Sequence, residues 1–107
     1  MIMLVTLLLS FQPVLGQTSF GGFDCGQWVY SKTEAHKSWL IGFVSGMNIT
    51  TNIQKNNLFG DWLGKLNTPE QIFVYVDEYC RAQPLHRGER AALDLYLYLI
   101  ALPKKNN

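Results

Sequence analysis

Ser31-Lys32-Thr33-Glu34-Ala35-His36-Lys37-Ser38-Trp39-Leu40-Ile41-Gly42-Phe43-Val44-Ser45-Gly46-Met47-Asn48 is the stretch that decides the fold. It opens on a capping-box pattern, with Ser31 offering a hydroxyl to the amide at N3 and Glu34 a carboxylate that reaches back. Plotted at 100° per residue, His36, Trp39, Leu40, Phe43, Val44 and Met47 share one broad bulky arc. Ala35, Ser38, Gly42, Ser45 and Gly46 form a second arc of small side chains, leaving a narrow strip around Glu34 and Lys37 for water. The pattern predicts a helix over 32–48 that packs neighbours on both sides and is central to the domain. Gly42 and Gly46 weaken a helix, and close backbone approach is the expected compensation. A membrane GxxxG pair is the sharper reading of the same glycines, but Glu34, Lys37 and the polar flank leave the stretch too short to span.

Downstream, Asn48 to Asn57 is rich in Asn and Thr without periodicity and reads as a loop. Asn48-Ile49-Thr50 matches a glycosylation acceptor formally, and coincidence is the better reading. Leu58 to Leu66 offers a short, glycine-interrupted helix or turn. Thr68-Pro69-Glu70-Gln71 is a second helix start, with Thr68 as N-cap, Pro69 at N1 and Gln71 at N3. In that helix Ile72, Phe73, Val76, Tyr79 and Cys80 fall on one face, opposite Glu70, Asp77, Glu78 and Arg81, and Pro84 ends it. The segment 87–102 alternates Leu93, Leu95, Leu97 and Leu99, yet its length, its Ala pair and leucine's helix preference decide for a helix stopped by Pro103. Only Arg90 and Asp94 mark a polar strip, so this helix must be central or meet a partner. Upstream, 17–23 reads as a flexible leader and Asp24–Tyr30 as a short helical turn ending in an aromatic anchor.

The chain opens on an apolar run, Met1 to Leu9, followed by Ser10-Phe11-Gln12-Pro13-Val14-Leu15-Gly16. A Pro and small or β-branched residues before a cut after Gly16 read as a signal peptide over 1–16, although no Lys or Arg precedes the run. An uncleaved anchor or a misassigned start are the other readings. The expected compartment is the periplasm or the secreted space, and 17–107 is the mature domain, with its core at about 25–102. Nine basic and eight acidic side chains, net charge +1, without blocks of one sign, argue against nucleic acid or an anionic membrane as partner.

Two cysteines in an exported chain of this size read as a disulfide, Cys25–Cys80. The competing metal site of Cys25, Cys80, His36 and His86 has no C-x-x-C and no His pair at helical spacing behind it. Cys80 lies in the middle of an apolar face, which favours a structural bond over a reactive thiol. The fold expected is all-α, a compact bundle of about four helices with one disulfide.

No catalytic constellation emerges. No serine sits in a G-x-S-x-G elbow, His36 lies on a mostly apolar face as a packing residue, and His86 falls in a solvated connector. Phe20-Gly21-Gly22-Phe23 is not a phosphate cradle, and Trp28, Trp39 and Trp62 lack the basic patch that stacking on bases would need. The expectation is a non-enzyme without cofactor or metal.

Cys25-Gly26-Gln27-Trp28, Trp39 to Asn48, Val76 to Leu85 and the Ala/Leu-rich closing helix together resemble small bacterial exported proteins. They are similar to type VI secretion immunity proteins of the Rap/Tai kind and, more distantly, to HdeA-type periplasmic acid-stress chaperones. The immunity proteins often carry further cysteines after the Gly-x-x-x-Gly helix, where this chain is Asn-rich, and the chaperones lack its aromatic central helix. Only Cys25 and Cys80 transfer, as a disulfide. The resemblance implies a periplasmic module that neutralises a toxin or another envelope protein, with a homodimer as the expected assembly. The alternatives are an acid-activated chaperone and, less favoured, a small enzyme. Phe59, Trp62 and Leu97 are the candidate partner contacts, and filling a small core is the other role open to them.

Overall fold

A computed structural model describes residues 18–104. The expected signal segment 1–16 lies outside the described residues. Among the described residues there are four helices, α1 Cys25–Ser31, α2 Glu34–Gln54, α3 Glu70–Ala82 and α4 Gly88–Ala101, with a 3₁₀ turn at Leu63–Lys65 between α2 and α3. The all-α bundle and its Cys25–Cys80 disulfide are as the sequence predicts. No described helix is long and apolar enough to cross a membrane.

Helix α1 starts where Asp24 accepts from the Gln27 amide and the Gln27 side chain accepts from the Asp24 amide, a reciprocal cap. It buries Cys25 and Trp28 and leaves Tyr30 exposed, so Trp28 is its aromatic anchor. Ser31 closes this helix instead of opening the next. The cap of α2 is Thr33, whose hydroxyl accepts from the His36 amide. A chain cannot serve as the last turn of one helix and the first cap of another, and the N3 spacing from Thr33 wins.

The bulky arc of α2 faces inward as read, with Leu40 and Val44 fully buried and Trp39, Phe43 and Met47 packed around them. The small arc does not. A Cβ at Gly42 or Gly46 would meet nothing within 4 Å, so no neighbour approaches these glycines. The central helix is α4, which packs against α2, α3 and the 3₁₀ turn, while α1 is held by α3.

Helix α2 also runs six residues beyond its predicted end, through the Asn/Thr-rich stretch read as a loop. Tertiary partners outweigh poor local propensity there. Thr51 bonds back to the Met47 carbonyl and accepts from the Trp62 indole. Asn48 donates to Asp61 and accepts from the Leu63 amide, which occupies both ends of the would-be acceptor amide. The helix then stops at Asn56 and Asn57, both at positive φ, a conformation asparagine tolerates better than most residues.

At the start of α3 the cap is Pro69 and no hydroxyl caps it; Thr68 is not the N-cap. The Gln71 side-chain oxygen Oε1 reaches back and accepts from the Asn67 and Thr68 amides just before the helix. At the end of α4, Lys65 Nζ donates to the Leu99 and Leu102 carbonyls at 2.6 and 2.7 Å. The Leu99 carbonyl also accepts from the Leu102 amide, and a cation at this end meets the negative end of the helix dipole.

The leader read as flexible is a packed strap over its described part. Phe23 is buried, its carbonyl accepts from the Gly88 amide, and the Phe20 carbonyl accepts from the Trp39 indole. The Cys25 amide donates to the His86 carbonyl, and Asp24 and Arg87 form an isolated antiparallel bridge. The aromatic and glycine content that looked like a linker is what lets this segment lie against Trp39 and the start of α4.

Candidate functional site

The residues expected to contact a partner separate into two groups. Trp62 is fully buried; its indole edge meets the Tyr96 ring at 4.9 Å and its N–H donates to Thr51 Oγ1. It belongs to the core, and its place among the contact residues is corrected on that ground. Phe59 is half-buried against the same Tyr96 ring. Leu97, the next residue on α4, is 52% exposed and points to solvent. Cys25 and Cys80 are bonded to each other and fully buried, so neither is available as a ligand. His36 is half-buried beside the Phe23 ring, as expected of a packing residue. His86 is not simply solvated, because the Tyr79 hydroxyl is hydrogen-bonded to its Nδ1 at 2.7 Å.

The described surface includes two concave places. One is an open groove of about 190 Å³ between α2, the 3₁₀ turn and the start of α3, lined by Ile41, Ser45, Leu66, Pro69 and Ile72. The other is a cleft of about 240 Å³ between α3 and α4, lined by Tyr75, Glu78, Tyr79 and Asp94. The two helices run side by side here, so residues one turn apart on each bring their polar ends together. The Tyr75 hydroxyl donates to the Asp94 carboxylate. Burial holds the Tyr75 phenol well above its ordinary pKa, and the Asp94 hydrogen bond and charge push the same way. Burial likewise raises Tyr79, against the lowering influence of Arg90. Both phenols are therefore neutral near pH 7; Tyr75 donates to Asp94, while Tyr79 shares its hydrogen bond with His86 Nδ1.

Around the cleft the surface turns apolar. Tyr98 is 48% exposed and its ring lies 5.3 Å from Tyr75, Leu97 precedes it, and Val74 is exposed on α3. A second set of exposed apolar side chains, Ile49, Ile53 and Leu58, lies at and just beyond the far end of α2. Sequence reasoning found Leu97 from the excess apolar breadth of the last helix. It missed the tyrosines, whose pairing across α3 and α4 depends on helix register and has no local signal.

No family model, no curated protein and no solved structure matches this chain.

Proposed function

We propose that this chain is an exported, periplasmic or secreted protein-binding domain that acts by contact, without catalysis. The observation that carries the reading is on α4. The helix at the centre of the bundle still leaves Leu97 and Tyr98 half exposed, with the Tyr98 ring against Tyr75 of α3, the helix on which Val74 is also exposed. Tyrosine is favoured at binding hot spots because it offers a large, rigid apolar body with a polar tip. The buried Cys25–Cys80 bond supports the compartment, since such bonds persist where the environment is oxidising. Neutralisation of a toxin or another envelope protein, as in immunity proteins of the Rap/Tai kind, rests on the sequence resemblance alone.

The test is capture by cross-linking from an envelope fraction with the mature protein as bait, wild type against Leu97→Asp, alongside sedimentation of the bait alone. A partner recovered by wild type and lost by the variant is the expected result. A concentration-dependent dimer abolished by Leu97→Asp would assign the face to a second copy of the chain. A strictly monomeric bait with no partner, or one captured equally by both proteins, overturns the reading.

A second reading, an acid-activated chaperone, draws on the carboxylates at the helix joins: Asp77 between α1 and α3, and Asp94 between α3 and α4. Strong acid, at about pH 2–3 where carboxylates in general are protonated, would leave a positively charged chain that loosens and exposes apolar surface. Absence of both dye binding and aggregation suppression in that range eliminates it.

A further inference from the structure

Resting on the protein-contact reading, we infer that the α3–α4 cleft receives a basic side chain, arginine in particular, from the bound protein. The cleft combines two carboxylates, Glu78 and Asp94, with the phenols of Tyr75 and Tyr79. Among the described residues Glu78 has no ion-pair partner, and Asp94 is engaged only by the neutral Tyr75 hydroxyl. Arg90, half-buried one turn before Asp94, is near enough to act on Tyr79 and offsets one of the two charges. The lining itself carries two carboxylates and no cation. At about 240 Å³ the cleft is smaller than the pockets that enclose whole small molecules and of a size for one side chain.

Guanidinium fits this chemistry better than ammonium. Its planar fork can donate two hydrogen bonds to a carboxylate on one edge while its face stacks on a phenol ring, whereas lysine offers a strongly hydrated point charge. The surrounding apolar rim of Val74, Leu97 and Tyr98 would exclude water from the contact once a partner covers it, which strengthens a central charged anchor.

The probe is N-acetyl-arginine methylamide, titrated into the mature protein and followed by NMR, with N-acetyl-citrulline methylamide as its uncharged isostere. Saturable shifts confined to residues around Tyr75, Glu78, Tyr79 and Asp94 are expected for the arginine compound and not for citrulline, weakening at high salt. Glu78→Gln, at an exposed position that bears no structural hydrogen bond, should weaken binding about two- to fivefold, the range an exposed ion pair supports. Asp94→Asn should do the same. Equal shifts from citrulline, shifts scattered over the surface, no shifts, or an unchanged Glu78→Gln variant overturn the inference. None of those outcomes touches the protein-contact reading, which stands or falls on the capture experiment.

Discussion

The indole nitrogen of Trp28 donates to Asp77 Oδ1 at 2.6 Å, one turn along both helices from the Cys25–Cys80 bond. Cys25 and Trp28 are three residues apart on α1, as are Asp77 and Cys80 on α3, so the two ties form adjacent rungs between the same pair of helices. Lys32 adds a third element: its ammonium lies 2.7 Å from Asp77 and 5.1 Å from the centroid of the Trp28 ring. A seven-residue helix is too short to persist alone. These rungs are what hold it in place.

Asp77→Ala should therefore destabilise the protein out of proportion to its place on a partly exposed helix face. It leaves a buried indole N–H without an acceptor and removes a charge-assisted bond, together about 2–3 kcal/mol. Asp77→Asn retains an acceptor and should cost about half as much. Urea unfolding of the three proteins, compared at unchanged m-value, measures both.

Replacing Cys25 and Cys80 together by alanine should cost about 4 kcal/mol, because a loop spanning a sequence separation of 55 is no longer closed in the unfolded chain. Both sulfurs are fully buried, so the native protein should show no free thiol and should resist mild reductant until it is unfolded. Thiol titration before and after denaturation checks each point, and two titratable thiols in the untreated native protein would remove the bond.

Two glycine substitutions should move stability in opposite directions. A Cβ at Gly88 would come within 2.7 Å of the Phe23 ring, so Gly88→Ala must displace the strap and should cost about 1–3 kcal/mol. A Cβ at Gly42 meets nothing, and Gly42 sits inside a 21-residue helix, so Gly42→Ala should stabilise by about 0.5–1 kcal/mol. Thermal unfolding of the pair distinguishes a glycine held by packing from one that is not.

That contrast also marks the limit of reading this chain as a sequence. The bulky arc of α2 and the inward face of α3 were legible because apolar periodicity reports burial directly. Gly42 and Gly46 were misread because a small residue is compatible with either a close neighbour or open solvent, and spacing alone does not separate them. The extension of α2 through Thr51 depends on the Trp62 indole arriving from eleven residues away, and the burial of Phe23 on the amide of Gly88 across the whole domain. Asp77 reads as lying opposite the apolar face, yet it sits at the α1–α3 join, and its bond to Trp28 follows only once the two helices are placed side by side. In the candidate site Leu97 was legible from an excess of apolar surface, whereas the Tyr75–Asp94 pair was not.

Above pH 10 the Tyr75–Asp94 contact should become a liability. With its pKa raised by burial first and by Asp94 second, folded Tyr75 stays protonated where the unfolded chain, near its ordinary value of 10.0, ionises. The native state then binds more protons than the unfolded one. Stability is untouched by this group below that pH and falls as pH rises through it. Tyr75→Phe should flatten this fall, and it should remove the latest-titrating phenol from the ultraviolet absorbance titration.

The most direct test of the contact surface is hydroxyl-radical footprinting of the mature protein, free and bound to the partner it captures. Leu97, Tyr98 and Tyr75 should lose reactivity in the complex, while Ile49, Ile53 and Leu58 at the far end of α2 keep theirs. Protection at Ile49, Ile53 and Leu58 with Leu97 and Tyr98 unchanged would contradict the assignment of the α3–α4 face.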